Sequence, residues 1–317
     1  MSIVNLLKHN SKTAFSFEIL PPLKGNNFSK VCHIIDKLRE FDPKYINITT
    51  HHSEVIYKEH LNGTVQKSQI RKRPGTVAIA GAIQNKYKIP AIPHIICKGF
   101  TKDETEYALI DLQYLGVSDL LLLRGDANKL QKEQVISGKS HEHTTDLIEQ
   151  VNRYNQGFDL EGNTFEKPET SFSYGVACYP EKHEEAPNMD SDIAFLKQKI
   201  ALGAEYAVTQ MFFDNQKYFD FVKRCREEGI TVPIIPGIKP IVLLDQLTVL
   251  PKIFRTEIPE RLENELRKCK TDEKAKQVGV EWSIEQCREL MQAGVPSLHF
   301  YTLMATNSVR QIAKAIY

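Results

Sequence analysis

FSYGVACY (residues 172–179), MDSDIAFLKQKIALGA (189–204) and EYAVTQMFF (205–213) succeed one another along the chain, and their reading decides the fold. The outer two are short, apolar and rich in Tyr, Phe, Val and Thr, the composition of strands. The middle one sets Ile193, Leu196 and Ile200 on one helical face and stops at Gly203. Strand, helix and strand in immediate succession predict two parallel strands joined by a right-handed helical crossover.

The same alternation continues outward in both directions. Earlier strand candidates are AFSFEI (14–19), KYINITT (44–50), IPAIPHIIC (89–97) and DLLLLRG (119–125), and later ones are VPIIPGI (232–238) and SLHFYTL (297–303). Helical periodicity lies between them. FSKVCHIIDKLREF (28–41) places Val31, Ile34, Ile35 and Leu38 on one face, with Ser29 as the expected cap. TKDETEYALIDLQYLG (101–116) opens at Thr101 with an acidic first turn and closes at Gly116, and NQKYFDFVKRCREEGI (215–230) ends at Gly229. Eight such units predict an α/β protein, a (β/α)8 TIM barrel forming a single domain over residues 1–317. Two stretches exceed ordinary loops. Residues 126–145 follow a strand's C-terminal end, where barrel enzymes keep their chemistry, whereas 155–170 precede a strand and are read as decoration.

Composition narrows the partners. The 41 Lys plus Arg and 40 Asp plus Glu leave a net charge of +1 with no basic stripe, which argues against nucleic acid. No apolar run reaches the length of a membrane span, and residues 1–11 lack a signal-peptide core. Six cysteines, Cys32, Cys97, Cys178, Cys225, Cys269 and Cys287, are scattered without a CxxC and read as core thiols of a cytoplasmic protein. GxxxxGK[ST] is absent, and so is a GxGxxG between strand and helix, so neither a P-loop nor a Rossmann dinucleotide site is signalled.

In a barrel, polar residues at the C-terminal ends of strands are the site candidates. Those ends supply Glu18, Thr49, His94, Arg124 with Asp126, Tyr179, Gln210 and Tyr301. Each has a plainer reading beside it. An ionised Glu18 among Phe17, Ile19 and Leu20 is costly, so it is either a buried ion pair or a working acid. His94 is a satisfied core histidine or a ligand contact, and Arg124-Gly125-Asp126 is a solvated turn or part of a site. Tyr179 and Tyr301 taken singly read more readily as rim aromatics than as ligand contacts. A metal cluster drawn from His51, His52, His94 and Asp126 is disfavoured because no HxH sits at a strand end, and His141 with His143 lies in a polar, solvated loop. No metal is expected.

Taken jointly, FEILPP (17–22), PHIIC (93–97), LLRGD (122–126), YPEKHEEA (179–186), TQMFF (209–213) and FYT (300–302), in that order, resemble the catalytic domain of the methylenetetrahydrofolate reductase family from about residue 13 to the C-terminus. The resemblance implies FAD at the barrel mouth, NADH or NADPH as co-substrate, and a ping-pong reduction of 5,10-methylenetetrahydrofolate to 5-methyltetrahydrofolate that feeds methionine synthesis. It implies a homo-oligomer as well. By the same resemblance Glu18 is the general acid, Asp126 the carboxylate beside flavin and folate, and Gln210 a folate contact. Thr49, His94, Arg124, Gly125, Asp126, Tyr179, His183, Asp192 and Lys199 match the flavin-binding set, with Arg124 and Lys199 toward the pyrophosphate. Tyr301 falls in the segment that closes the site.

Two departures stand out. The family's Gly-rich turn after the second strand reads Thr50-His51-His52-Ser53 here, and the polar residues expected after FYTL read Met304-Ala305-Thr306. The latter bears on contacts to the outer folate or adenine. With Tyr317 closely following the last helix, the adenosylmethionine-sensing domain of eukaryotic members is not expected. Two rivals remain. A proline-dehydrogenase-like flavin barrel calls for paired arginines at the last strand, which FYTLMAT lacks, and a pterin-binding methyltransferase barrel would be colourless.

Overall fold

A computed structural model describes residues 2–9, 12–51, 53–60, 62–125, 139–303 and 305–317. Asp126, His52 and Met304 therefore lie outside the described residues. In chain order the elements are α1 (Ile3–Lys8), β1 (Ala14–Ile19), α2 (Ser29–Leu38), β2 (Tyr45–Ile48), β3 (Glu54–Glu59), β4 (Val65–Ile70), α3 (Thr76–Tyr87) and β5 (Ala91–Ile96). They continue with α4 (Lys102–Tyr114), β6 (Asp119–Leu123), α5 (Thr144–Asn155), β7 (Ser173–Cys178), α6 (Met189–Ala201), β8 (Tyr206–Thr209) and α7 (Asn215–Glu227). The last are β9 (Ile234–Ile235), β10 (Gly237–Ile238), α8 (Gln246–Phe254), α9 (Glu260–Arg267), α10 (Asp272–Gln292), β11 (Ser297–Phe300) and α11 (Thr306–Ile316). All eight strands read from the sequence are present, in the sheet order β10-β11-β1-β2-β5-β6-β7-β8-β9. The fold is the (β/α)8 barrel.

The seventh strand differs from its reading. It is split into β9 and β10 because Pro236 has no N–H to give a ladder, and its carbonyl instead accepts the His299 N–H at 3.0 Å. A further hairpin, β3 with β4, pairs Glu54 with Ile70 through Glu59 with Val65 in antiparallel register.

The chain gathers into two compact units, one of residues 1–19, 33–47 and 174–317, the other of residues 20–32 and 48–173. In the first, β1 runs parallel to β11 with Ala14 opposite Ser297, and β10 flanks β11 with Gly237 opposite His299. Parallel β7, β8 and β9 make a second ladder there. An apolar cluster of Met211, Phe213, Ile241, Leu250, Leu262 and Leu266 seats α8 and α9. Asn188 caps α6 by accepting the Ser191 N–H at 2.8 Å, and Asp214 caps α7 by accepting that of Gln216 at 2.9 Å.

In the second unit β5 and β6 pair with His94 opposite Leu121. Helix α4 begins with a reciprocal capping box, Thr101 Oγ1 accepting the Glu104 N–H at 3.1 Å and Glu104 Oε2 the Thr101 N–H at 2.9 Å. The cap ahead of α2 is Asn27, whose Oδ1 accepts the Ser29 N–H at 3.1 Å, so Ser29 opens the helix instead of capping it. His141 is buried instead of solvated, held by a 2.5 Å bond between its Nε2 and Gln150 Oε1. Five of the six cysteines are buried and all are free thiols, Cys269 being half-buried.

Candidate active site

Successive side chains on a strand face opposite sides. Phe15, Phe17 and Ile19 share one face of β1, and Ser16 and Glu18 share the other, a polar one. Ser16 Oγ lies 3.0 Å from His299 Nδ1, and Tyr45 stacks on His299 while its hydroxyl donates to Ser297 Oγ at 3.2 Å. Burial pulls the His299 imidazole down to about 3, so it stays neutral throughout the working range. This layer is a satisfied polar floor.

Further along the same face stand Glu18, Lys239 and Tyr301. Glu18 is 6% exposed, and burial lifts its carboxyl to about 8, the Lys239 charge pulling the other way and only partly offsetting it. Lys239, 5% exposed, is brought down to about 8 by its own burial, with Glu18 opposing. Its Nζ donates to the Tyr301 carbonyl at 3.4 Å. The Tyr301 hydroxyl donates to the Thr209 carbonyl at 2.6 Å, and burial, then the Glu18 charge, raise its phenol well above the usual range. Gly237 makes this closeness feasible, since a Cβ there would collide with the Thr209 carbonyl oxygen and the Tyr301 ring. Gln210 follows β8, its N–H donating to the Cys178 carbonyl at 2.8 Å and its Oε1 accepting the Met211 N–H at 2.9 Å.

The end of β7 and the start of α6 bring Tyr179, His183 and Asp192 together. Tyr179 meets the His183 ring edge-on at 4.6 Å, and the His183 N–H donates to Asp192 Oδ2 at 2.8 Å. Asp192 sits in the first turn of α6, where a carboxylate suits the helix dipole. Lys199 lies two turns on, its Nζ donating to the Ala177 carbonyl at 2.9 Å, and burial holds its ammonium below the usual lysine range.

The second unit carries Thr49, His94, Arg124 and Gly125. Thr49 Oγ1 is 3.4 Å from His51 Nε2, and the Thr50 hydroxyl donates to the His94 carbonyl. Arg124 Nε donates to the Glu142 carbonyl at 3.2 Å, and Gly125 turns the chain off β6 at a φ of 82° that favours glycine. A pocket in this unit is lined by Thr50, His51, Arg71, Arg73, His94 and Tyr107.

Of the residues read from the sequence, the first unit thus assembles Glu18, Tyr301, Gln210, Tyr179, His183 and Asp192, with Lys199 turned to a backbone carbonyl. Near neutrality the first group holds a largely protonated carboxyl in a dry setting, able to hand a proton to a basic atom. Among the described residues no group of three His, Cys, Asp or Glu converges as a metal site. Lys239 escaped the sequence reading, although a lone cation inside IIPGIKPIVLL (234–244) is a visible signal of a functional or paired charge.

The family model for methylenetetrahydrofolate reductase matches residues 3–317. This chain belongs to that family. It is 29% identical over 289 residues to 5,10-methylenetetrahydrofolate reductase of Escherichia coli, covering 91% of this chain and 85% of that protein. It is also 29% identical over 304 residues to a probable methylenetetrahydrofolate reductase (NADPH) of Caenorhabditis elegans, covering 95% of this chain. The chain spans only 42% of the nematode protein's length. A solved structure of an uncharacterized protein from Clostridium thermocellum, described as binding two copies of 5-methyl-5,6,7,8-tetrahydrofolic acid, shares the fold. Its TM-score is 0.59 at 19% identity, over 98% of this chain and 97% of that one. Methylenetetrahydrofolate reductase membership covers every strand end that carries a candidate residue, from Glu18 to Tyr301. No helix among the described residues is long and apolar enough to cross a membrane.

Proposed function

We propose that residues 1–317 form an FAD-dependent catalytic domain that reduces 5,10-methylenetetrahydrofolate to 5-methyltetrahydrofolate with NADH or NADPH, in two separate half-reactions that supply methyl groups for methionine synthesis. The observation that carries this reading is Glu18, a buried carboxyl at the end of β1 with a proton affinity near 8. Each unit by itself carries groups of the kind a flavin dinucleotide takes. The Thr49 hydroxyl directly follows β2, the His94 imidazole lies within β5 and the Arg124 guanidinium directly follows β6, while the first turn of α6 holds Asp192 with His183 and Tyr179 close by. Thr49, His94, Arg124, Gly125, Tyr179, His183, Asp192 and Lys199 would hold it, together with Asp126 outside the described residues. When bound, the flavin supplies a two-electron carrier between nicotinamide and folate.

The chain's own residues supply the proton chemistry. Glu18 breaks its O–H bond as an N–H bond forms on the bridging amine nitrogen of the folate, and the carboxylate keeps the electron pair. The C–N bond to the methylene carbon then breaks, nitrogen taking its electrons, and the resulting iminium carbon accepts the hydride. Gln210 and Tyr301 orient the folate, and Asp126 provides negative charge that favours the cation.

Pure protein should be yellow, bleach anaerobically with NADH or NADPH, and regain colour with methylenetetrahydrofolate. In Glu18→Gln the folate half-reaction should fall by about 10²–10⁴-fold while reduction by the nicotinamide stays within about tenfold. A colourless protein refutes the cofactor, and reoxidation of the variant at the unaltered rate refutes Glu18 as the acid.

A further inference from the structure

Lys239 follows β10 directly and is buried between Ile238 and Pro240 in a stretch that is otherwise apolar. Placing an ammonium there is costly unless a nearby group compensates. A single carbonyl bond at 3.4 Å, to Tyr301, is too weak to do so. The neighbouring groups can be named element by element. From β1 comes Glu18: Phe17 and Ile238 both lie opposite Phe300 in parallel register, so Glu18 and Lys239, each one residue further on, flank Tyr301 at the same level. From the end of β11 comes Tyr301, whose hydroxyl is spent on the Thr209 carbonyl. From the end of β7 come Cys178 and Tyr179, which act on Tyr301, and His299 one layer below meets the Tyr301 ring edge-on at 5.4 Å. Glu18 alone among these is a carboxyl.

We propose that Lys239 is a positioning residue whose ammonium is the counter-charge for the carboxylate that Glu18 becomes after giving up its proton, and that it thereby sets the acid strength of Glu18. This rests on Glu18 as the proton donor. In that step the Glu18 O–H bond breaks and an N–H bond forms on the leaving amine, while every N–H bond of Lys239 stays intact. Solvent later returns the proton to Glu18. Opposing shifts support the pairing, since each group's charge partly offsets the other's cost of burial. Without the ammonium Glu18 would hold its proton more tightly and donate it more slowly.

The test is stopped-flow reoxidation of the reduced holoenzyme by methylenetetrahydrofolate between pH 6 and 10, in Lys239→Met, Lys239→Gln and Lys239→Arg. Both neutral variants should move the alkaline limb up by about one pH unit or more, as loss of a close opposite charge does. Their rate at pH 7 should fall roughly tenfold, whereas reduction by NAD(P)H should change less than about twofold. Arginine keeps the charge but gives up no proton in this range, so Lys239→Arg should retain the original limb and a rate within about threefold. An unmoved or lowered limb in the neutral variants overturns the proposal. So does Lys239→Arg as slow as the neutral pair, which makes Lys239 itself the donor. A neutral variant that fails to fold marks Lys239 as structural and counts equally against it. Glu18→Gln in the same assay separates the two ideas. If that variant reoxidises normally, the acid assignment falls; if it is slow while the neutral Lys239 limbs stay put, only the counter-charge role falls.

Discussion

Replacing Glu18 by Gln should make the chain more stable above neutrality, by an amount that grows with pH. In the folded chain the carboxyl titrates near 8, against 4.5 when free. Between those values the unfolded chain has released this proton and the folded chain has kept it, so stability falls as pH rises. Each tenfold difference in proton affinity is about 1.4 kcal/mol, so the cost approaches roughly 3 kcal/mol at pH 7 and about 5 kcal/mol above pH 8 as an upper bound. Lys239 adds nothing to this slope below pH 7, because it is protonated in both states until about 8. Glutamine carries no proton to lose. The advantage of Glu18→Gln over the parent should therefore climb by about 2–3 kcal/mol from pH 5.5 to 7.5. Urea unfolding at several pH values measures it. Trp282, the single tryptophan, reports on the same unit by fluorescence, its Nε1 donating to the Phe213 carbonyl at 3.0 Å. A difference between the two proteins that is the same at both pH values refutes the raised proton affinity.

Gly237→Ala should drive a methyl into the Thr209 carbonyl and the Tyr301 ring, costing about 1–3 kcal/mol of stability and weakening folate binding, read from urea midpoints and the folate dependence of reoxidation. Unchanged values in both would mean the close approach at Gly237 does not matter. Asp192→Ala removes the acceptor of the His183 N–H at the start of α6. Flavin affinity should drop about tenfold with circular dichroism unchanged, as expected for a charge-assisted bond worth about 1.5 kcal/mol. Equal flavin affinity in the variant would remove Asp192 from the proposed binding set.

Strand β1 is legible to the residue because five apolar or small residues, interrupted only by Glu18, follow Thr13 and stop before Pro21-Pro22. Helix α4 is equally plain, since a Thr with a Glu three residues on is a reciprocal cap written in sequence. The β3–β4 hairpin is not legible: its described side chains are exposed or half-buried on both faces, so no period-2 apolar signal marks it. Two residues contend for the start of α2, and only geometry shows Asn27 accepting from Ser29. The site is readable where polarity breaks an apolar strand, as at Glu18. Lys239 was hidden because the split at Pro236 disguises where that strand ends. Contacts such as Tyr301 to the Thr209 carbonyl join residues far apart in sequence, which no local pattern encodes.

The parallel pairing of Ala14 with Ser297 has a consequence during synthesis. These partners are 283 residues apart, so at roughly 5–20 residues per second β1 leaves the ribosome about 15–60 seconds before β11 exists. Residues 20–32 and 48–173 are by then complete and can collapse as their own unit, while AFSFEI waits with one flank open. A short, largely apolar strand with one unpaired edge is an aggregation hazard. The nascent chain should therefore depend on chaperone capture, and moving β1 and α1 to follow α11 by circular permutation should lessen that dependence.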